Sequence, residues 1–312
     1  MDELCLVTGG AGFIGSNLVD ALVEAGDDVV VLDDLSTGFA ANLHPAATLV
    51  EGEVSDPAAV ARAVAGCEVV FHQAAHRAVL RSVEQPLDTD RANVGGTLTV
   101  LVAARDAGAR RVVCASSSSV YGGAEQLPTP ETALLVPRSP YAVSKLAGEH
   151  YCRVFWELFG LETVALRYFN VYGPRQRPDS RYAAVIPLFV DALLRGLPPE
   201  VHGDGLQSRD FTFITDAVAS NLRAAEAPAQ QCAGRAYNVA GGASYSLLEL
   251  IGILERLIGV EATPSHVAPR AGDVRHTRAD VAAAAADLGH RPAVSFEEGL
   301  ARTVEWFRSR MG

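Results

Sequence analysis

The octapeptide TGGAGFIG, Thr8 to Gly15, follows the apolar run LCLV and opens an apolar helical pattern that runs to about Ala25. A strand, a glycine turn and a helix in that order bring backbone N–H groups and the positive helix end to one point, which is where a pyrophosphate is received. Glycine serves there for a tight turn, close phosphate approach and close helix packing. Gly9, Gly12 and Gly15, with Phe13 and Ile14, are therefore candidate dinucleotide contacts. The next strand-like run, DVVVLDD, carries Asp33 about 20 residues beyond the glycines, where a carboxylate accepts hydrogen bonds from ribose hydroxyls and repels a 2′-phosphate. NAD rather than NADP is the expected cofactor, with Asp34 as a solvated neighbour.

The same alternation continues through TLVEGEV, a helix near Ala58 to Ala65, EVVFHQA, a helical stretch Asn93 to Ala107, RRVVCASSS, a helix from about Pro140 to Phe159, and ETVALRYFNVYG. Repeated βαβ units with continuous apolar strands predict an α/β fold with a doubly wound parallel sheet, its ligand crevice at the carboxyl ends of the strands. After Tyr172 the chain turns to GPRQRPDSRYAAVIP, a loop-bearing texture suited to a substrate region. The expected division is a dinucleotide domain over 1–172, rejoined near 210–240 through RDFTFITDAVASNLRAA and YNVAGG, and a substrate domain mainly over 173–312.

Composition narrows the function. The formal charge of −11 over 312 residues works against nucleic acid as a partner, because phosphate-backbone recognition needs a concentrated basic face. No apolar run reaches the roughly 18 residues of a membrane span, and MDELCLVTGG lacks a basic leader, so neither a membrane partner nor a location outside the cytoplasm is expected. Five cysteines without CxxC spacing point to buried thiols and to no metal site.

The reacting end is SPYAVSK, which sets Tyr141 and Lys145 four apart at a helix start, on one face. An ammonium beside a phenol favours the phenolate and suits it to general-base work. Upstream, CASSSSVYG ends a strand with Ser116, Ser117, Ser118 and Ser119.

In the order TGGAGFIG, HQAA, SSSSVYG, YAVSK, RYFNVYGP, GDGLQSRDF and RAGDVRHTRAD, these motifs cover nearly the full length. The chain resembles the extended short-chain dehydrogenase/reductases, in the branch of NAD-dependent nucleotide-sugar epimerases and dehydratases, and within it the UDP-hexose 4-epimerases. The resemblance implies a Rossmann domain with a smaller C-terminal α/β domain for a UDP-sugar. It also implies a homodimer paired through the stretches Asn93 to Ala107 and Tyr141 to Phe159.

Carried over residue by residue, the resemblance makes Tyr141 the base on the sugar 4-hydroxyl. Lys145 holds the nicotinamide ribose and lowers the tyrosine pKa, and Ser117 hydrogen-bonds the same sugar oxygen. Hydride leaves C4 for NAD and returns to the other face of a 4-keto sugar, so the cofactor is regenerated and retained. Glu53 and Val54 fall near adenine, and Gln73, Ala74 and Ala75 of HQAA line the cofactor. Asn93 and Tyr168 border the nicotinamide, and Asn170 meets the diphosphate. Val185 falls in the substrate pocket, Arg209 and Arg270 match diphosphate-binding arginines, and Asp273 matches a uridine-ribose carboxylate.

Dehydratases of this family carry Asp-Glu, and decarboxylases a Glu, where this chain has Ser118 and Ser119, so epimerisation without loss of water or carbon dioxide is expected. Thr277 stands at the family's size gate, where a small residue admits a C2 N-acetyl group; UDP-GlcNAc/UDP-GalNAc and UDP-glucose/UDP-galactose are both within reach. Arg177 points instead to a C6 carboxylate and a UDP-glucuronate 4-epimerase, whereas Asn170 stands where those enzymes tend to have threonine. A dehydratase or decarboxylase with its acid elsewhere, and a nonenzymatic NAD-sensing module, are the remaining alternatives. Arg77 and Arg81 read as solvated charges at a helix start, His76 as a histidine satisfied by a hydrogen bond, and Ser116 as a strand-end support through backbone-type hydrogen bonding.

Overall fold

The computed structural model describes residues 3–179, 182–269 and 274–311. Six strands of the first half, β1 (Leu4–Thr8), β2 (Asp28–Asp33), β3 (Thr48–Glu51), β4 (Val69–His72), β5 (Arg111–Ser117) and β6 (Glu162–Tyr168), join the later strand Arg235–Val239 in one sheet. The order is β3-β2-β1-β4-β5-β6 followed by Arg235–Val239, and every pairing is parallel. Strand order reverses between β1 and β4, which opens the crevice beyond their carboxyl ends.

The strands hold together because they are apolar on both faces. All four residues of β4 are buried, and two hydrophobic cores flank the sheet, one of them running from Val7 and Leu18 to Leu250 and Phe307. The late return expected near 210–240 is present. Thr212–Phe213 pairs with Val171–Tyr172, the helix Ile214–Glu226 packs against the helix Phe13–Glu24, and Arg235–Val239 lies on β6.

Two helices set the site. Phe13–Glu24 starts at Gly12 immediately beyond β1 and points its N-terminus into the crevice. Pro140–Phe159 has Pro140 in its first turn, the Ser139 hydroxyl accepting from Ala142 N at 3.1 Å, and left-handed Gly160 (φ 70°) at its end. These start and stop devices fix Tyr141 in the first turn and Lys145 one turn later. The helical stretch expected from Asn93 to Ala107 is present, opening with a π-helical turn, Arg91–Gly95, and running on as the helix Gly96–Asp106. All five cysteines are buried and unbridged, and among the described residues no helix is long and apolar enough to cross a membrane.

Candidate active site

The glycine turn is as close as its sequence requires. A Cβ on Gly9, whose φ is +69°, would lie 2.7 Å from the Ala74 backbone, and one on Gly15 would lie 2.1 Å from the Gly9 carbonyl oxygen. Only glycine lets β1, the turn and the helix approach in this way. Gly9, Gly12, Phe13, Ile14 and Gly15 line a cleft of about 180 Å³ together with Asp33, Val54, Gln73, Ala74, Ala75, Tyr141, Lys145 and Tyr168.

Asp33 sits buried at the end of β2. Its two oxygens accept from Ala11 N and Leu35 N, each at 2.9 Å, and each oxygen keeps a lone pair for a ribose hydroxyl. Burial raises the carboxyl above the ordinary range, opposed by those two N–H bonds. Asp34 is exposed and accepts from Ser36.

At the far end of the cleft, the Ser117 hydroxyl accepts from Ser119 N at 3.2 Å, which caps the short 3-10 turn Ser118–Tyr121, and lies within hydrogen-bonding reach of the Tyr141 phenol. Lys145 Nζ donates to the Ala115 carbonyl at 2.9 Å. Burial pulls the Lys145 ammonium down to about 8. Burial raises the Tyr141 phenol, while the Ser117 hydrogen bond and the Arg77 charge pull it down.

A charge that acts on the Tyr141 phenol is that of Arg77, with Lys145 one turn further along the tyrosine's own helix. Arg77 is not a bystander at a helix start. Its side chain is open to solvent, yet it lies in the cleft, where the surrounding protein lowers its pKa. His76 also lines the cleft, and its buried Nδ1 has no partner among the described residues.

Several expected contacts lie elsewhere. Glu53 is turned away from the cleft, its carboxylate accepting from Ser55 at 2.9 Å and lying 3.9 Å from Arg91; its neighbours Gly52 and Val54 do line the cleft. Asn93 is buried as a brace, accepting from His76 N at 2.8 Å and donating to the His76 carbonyl and to Ser144 Oγ. Ser116 donates to the Glu149 carboxylate at 2.5 Å, not to backbone. Arg177 stacks 4.2 Å over the Phe39 ring and pairs with Asp179, beside the dinucleotide cleft.

A second cavity, of about 560 Å³, lies beyond the sheet and is lined by Asn170, Val185 and Arg209. Asn170 adopts a left-handed backbone (φ 37°) and donates to the Asp210 carbonyl at 2.9 Å. Thr277 accepts from Asp210 N at 3.2 Å through its hydroxyl. Arg270 and Asp273 lie outside the described residues. Ser118 and Ser119 follow Ser117 in the 3-10 turn, and the Ser119 hydroxyl is buried without a partner among the described residues.

Sequence reasoning missed Ser36, Thr37 and Gly38, which line the cleft just after Asp33, and Asn221, which donates to the Tyr168 phenol at 2.8 Å and accepts from Gln73 at 2.9 Å. Polar Ser-Thr-Gly following the ribose carboxylate was a readable signal; Asn221, on a helix remote in sequence, gave none. Gln176, His202 and Gln207 line the second cavity; Gln176 and Gln207 each have a buried side-chain oxygen unpartnered among the described residues, and His202 Nε2 lies 3.2 Å from the Glu200 carboxylate.

The NAD dependent epimerase/dehydratase family model matches residues 5–240. The chain belongs to this family. It is 42% identical to a UDP-glucose 4-epimerase of Mycolicibacterium smegmatis over 98% of each chain. A crystal structure of the Thermotoga maritima UDP-glucose 4-epimerase with UDP-glucose superposes with a TM-score of 0.95 at 37% identity, covering 99% of this chain and 100% of that one. A UDP-N-acetylglucosamine 4-epimerase from Methanobrevibacter ruminantium, in complex with UDP-N-acetylmuramic acid, gives a TM-score of 0.94 at 37% identity over 99% of both chains. Family membership makes NAD the cofactor, and the cleft suits it: a helix N-terminus behind a close glycine turn for the diphosphate, Asp33 for a ribose, and Tyr141 and Lys145 along the same cleft.

Proposed function

We propose that this chain is a UDP-sugar 4-epimerase, inverting C4 through a 4-keto intermediate, with UDP-GlcNAc/UDP-GalNAc or UDP-glucose/UDP-galactose as substrate. The observation that carries the reading is the Ser117–Tyr141 pair beside Lys145 in the cleft. Ser118 and Ser119 stand next to it where dehydratases and decarboxylases of the family carry acids.

In this reading Tyr141 takes the proton of the sugar 4-hydroxyl and later returns it. Ser117, whose oxygen already accepts from Ser119 N, has one hydrogen to donate, to the phenolate before the sugar binds and to the sugar oxygen after. Lys145, anchored on Ala115, holds the nicotinamide ribose. When bound, NAD accepts the hydride from C4 and gives it back to the opposite face. The cofactor contacts are Gly9, Gly12, Phe13, Ile14, Gly15, Asp33, Val54, Gln73, Ala74, Ala75, Tyr141, Lys145 and Tyr168, to which Arg77 is added. Asn170, Val185 and Arg209 bind the UDP moiety with Arg270 and Asp273, and Thr277 leaves room for a C2 substituent. The UDP-glucuronate alternative rests on Arg177, a partly exposed side chain that packs over Phe39 and pairs with Asp179.

The NAD-binding unit spans 1–172 with the return at 210–240, and the rest of 173–312 binds the UDP-sugar. The protein is cytoplasmic and a homodimer. Support for the dimer comes from exposed Val143, Val154 and Leu158 on Pro140–Phe159 and from Val79, Leu80, Val83 and Leu87 on the segment packed beside it. Light scattering that gives a monomer at working concentration removes this part.

Supplying UDP-glucose or UDP-GlcNAc deuterated at C4 tests the chemistry. The epimer should keep its deuterium at C4, because the same hydride is removed and returned; loss of label to solvent contradicts that cycle.

A further inference from the structure

The segment just past Tyr172 makes three contacts that the epimerase chemistry does not use. Pro174 O accepts from Asn17 Nδ2 at 3.5 Å, Arg175 forms an ion pair with Asp20 at 2.6 Å, and the Arg177 guanidinium lies 4.2 Å over Phe39. Asn17 and Asp20 belong to the helix whose N-terminus faces the cleft. Phe39 follows Ser36, Thr37 and Gly38 of the cleft wall and is pinned by its N–H donating to the Ala11 carbonyl at 3.0 Å. From the other wall, Arg77 lies within electrostatic range of Arg177.

We propose that Asp20, Phe39, Arg175 and Arg177 form a clasp that retains NAD. The segment bridges the glycine-turn helix and the loop after β2, two elements that border the cleft. Arg175 and Asp20 are only 23% and 26% exposed, so their attraction is less screened than that of a surface pair. The clasp is also held under tension. Arg175 is a non-glycine residue at φ 71°, and its buried NH1 has no partner among the described residues. Backbone positions strained in this way cluster at ligand clamps and switch regions.

The test is exchange of isotopically labelled NAD from the holoenzyme into an excess of unlabelled NAD, which is independent of any sugar. Asp20→Asn and Arg177→Ala should each speed label loss by roughly three- to tenfold, and the double variant by more. About 1 M salt, where the Debye length is ~3 Å, should speed exchange in the wild type more than in Asp20→Asn. The charge swap Asp20→Arg with Arg175→Asp should restore slow exchange. Arg177→Ala, at a more exposed side chain, carries the test if helix variants lose stability. Exchange from both Arg177→Ala and the double variant indistinguishable from wild type overturns the clasp.

Discussion

Ser116 donates its hydroxyl to Glu149 at 2.5 Å, one helical turn beyond Lys145. The same carboxylate takes two bonds from Arg167, at 2.9 and 2.7 Å, and Arg167 reaches on to the Tyr121 phenol at 2.7 Å, which donates to Asn238 at 2.7 Å. Asn238 in turn donates to the Thr129 and Asp280 carbonyls. Strand β5, the helix of Tyr141 and Lys145, the VYG turn and the Thr277–Asp280 segment are thereby fixed to one buried chain of hydrogen bonds.

Removing one end of that ion pair leaves a buried charge. Glu149→Ala should cost roughly 3–5 kcal/mol of stability, and Glu149→Met with Arg167→Met should recover much of it. Denaturant unfolding of the apo protein measures both. Ser116→Ala keeps the pair intact and should cost no more than about 1–3 kcal/mol.

Replacing the phenol should remove chemistry and spare the cofactor. Tyr141→Phe should lower turnover by roughly 10²–10⁴-fold while NAD still binds, because the ring remains and only the proton-transferring oxygen is lost. Loss of NAD together with turnover would assign Tyr141 to binding instead.

The pH dependence of turnover should report Arg77. Burial holds the Tyr141 phenol high and Arg77 pulls it down, so activity rises with pH as the phenolate forms. Arg77→Gln should move that rising limb to higher pH, and Arg77→Lys should move it part of the way back. A limb unmoved in Arg77→Gln would return the role to another cation.

Asp210 gives a stability signature in acid. It is fully buried, and burial raises its carboxyl from 3.8 to about 6, against N–H bonds from Ala279, Gly242 and Gly241. A raised folded pKa means the folded state binds the proton more tightly. The contribution is therefore fully present below about 4 and is lost as pH rises through about 6. Relative to Asp210→Asn, the wild-type melting temperature should fall across that window; a difference independent of pH contradicts the shift.

What the sequence made legible was whatever local chemistry enforces. TGGAGFIG had one conformation available to its close-packed glycines, the apolar strands had to be covered on both faces, and Ser139-Pro140 could only start a helix. The return strand Arg235–Val239 was readable because β-branched and aromatic spacing outlasts a long insertion. Side chains whose direction depends on tertiary neighbours were not legible. Glu53 and Val54 are adjacent, yet in the turn after β3 one side chain goes to Ser55 and the other lines the cleft. Arg177 packs over Phe39, and Arg77, exposed just past β4, carries a charge that acts on Tyr141; neither contact has a signal in the sequence.

The most direct measurement is NMR of the products formed from UDP-GlcNAc, UDP-glucose and UDP-glucuronate by the purified protein. The account predicts a C4 epimer from the N-acetylhexosamine or the hexose, with no net change in NAD. No inversion with any of the three, or a stable 4-keto-6-deoxy product or released carbon dioxide, contradicts it.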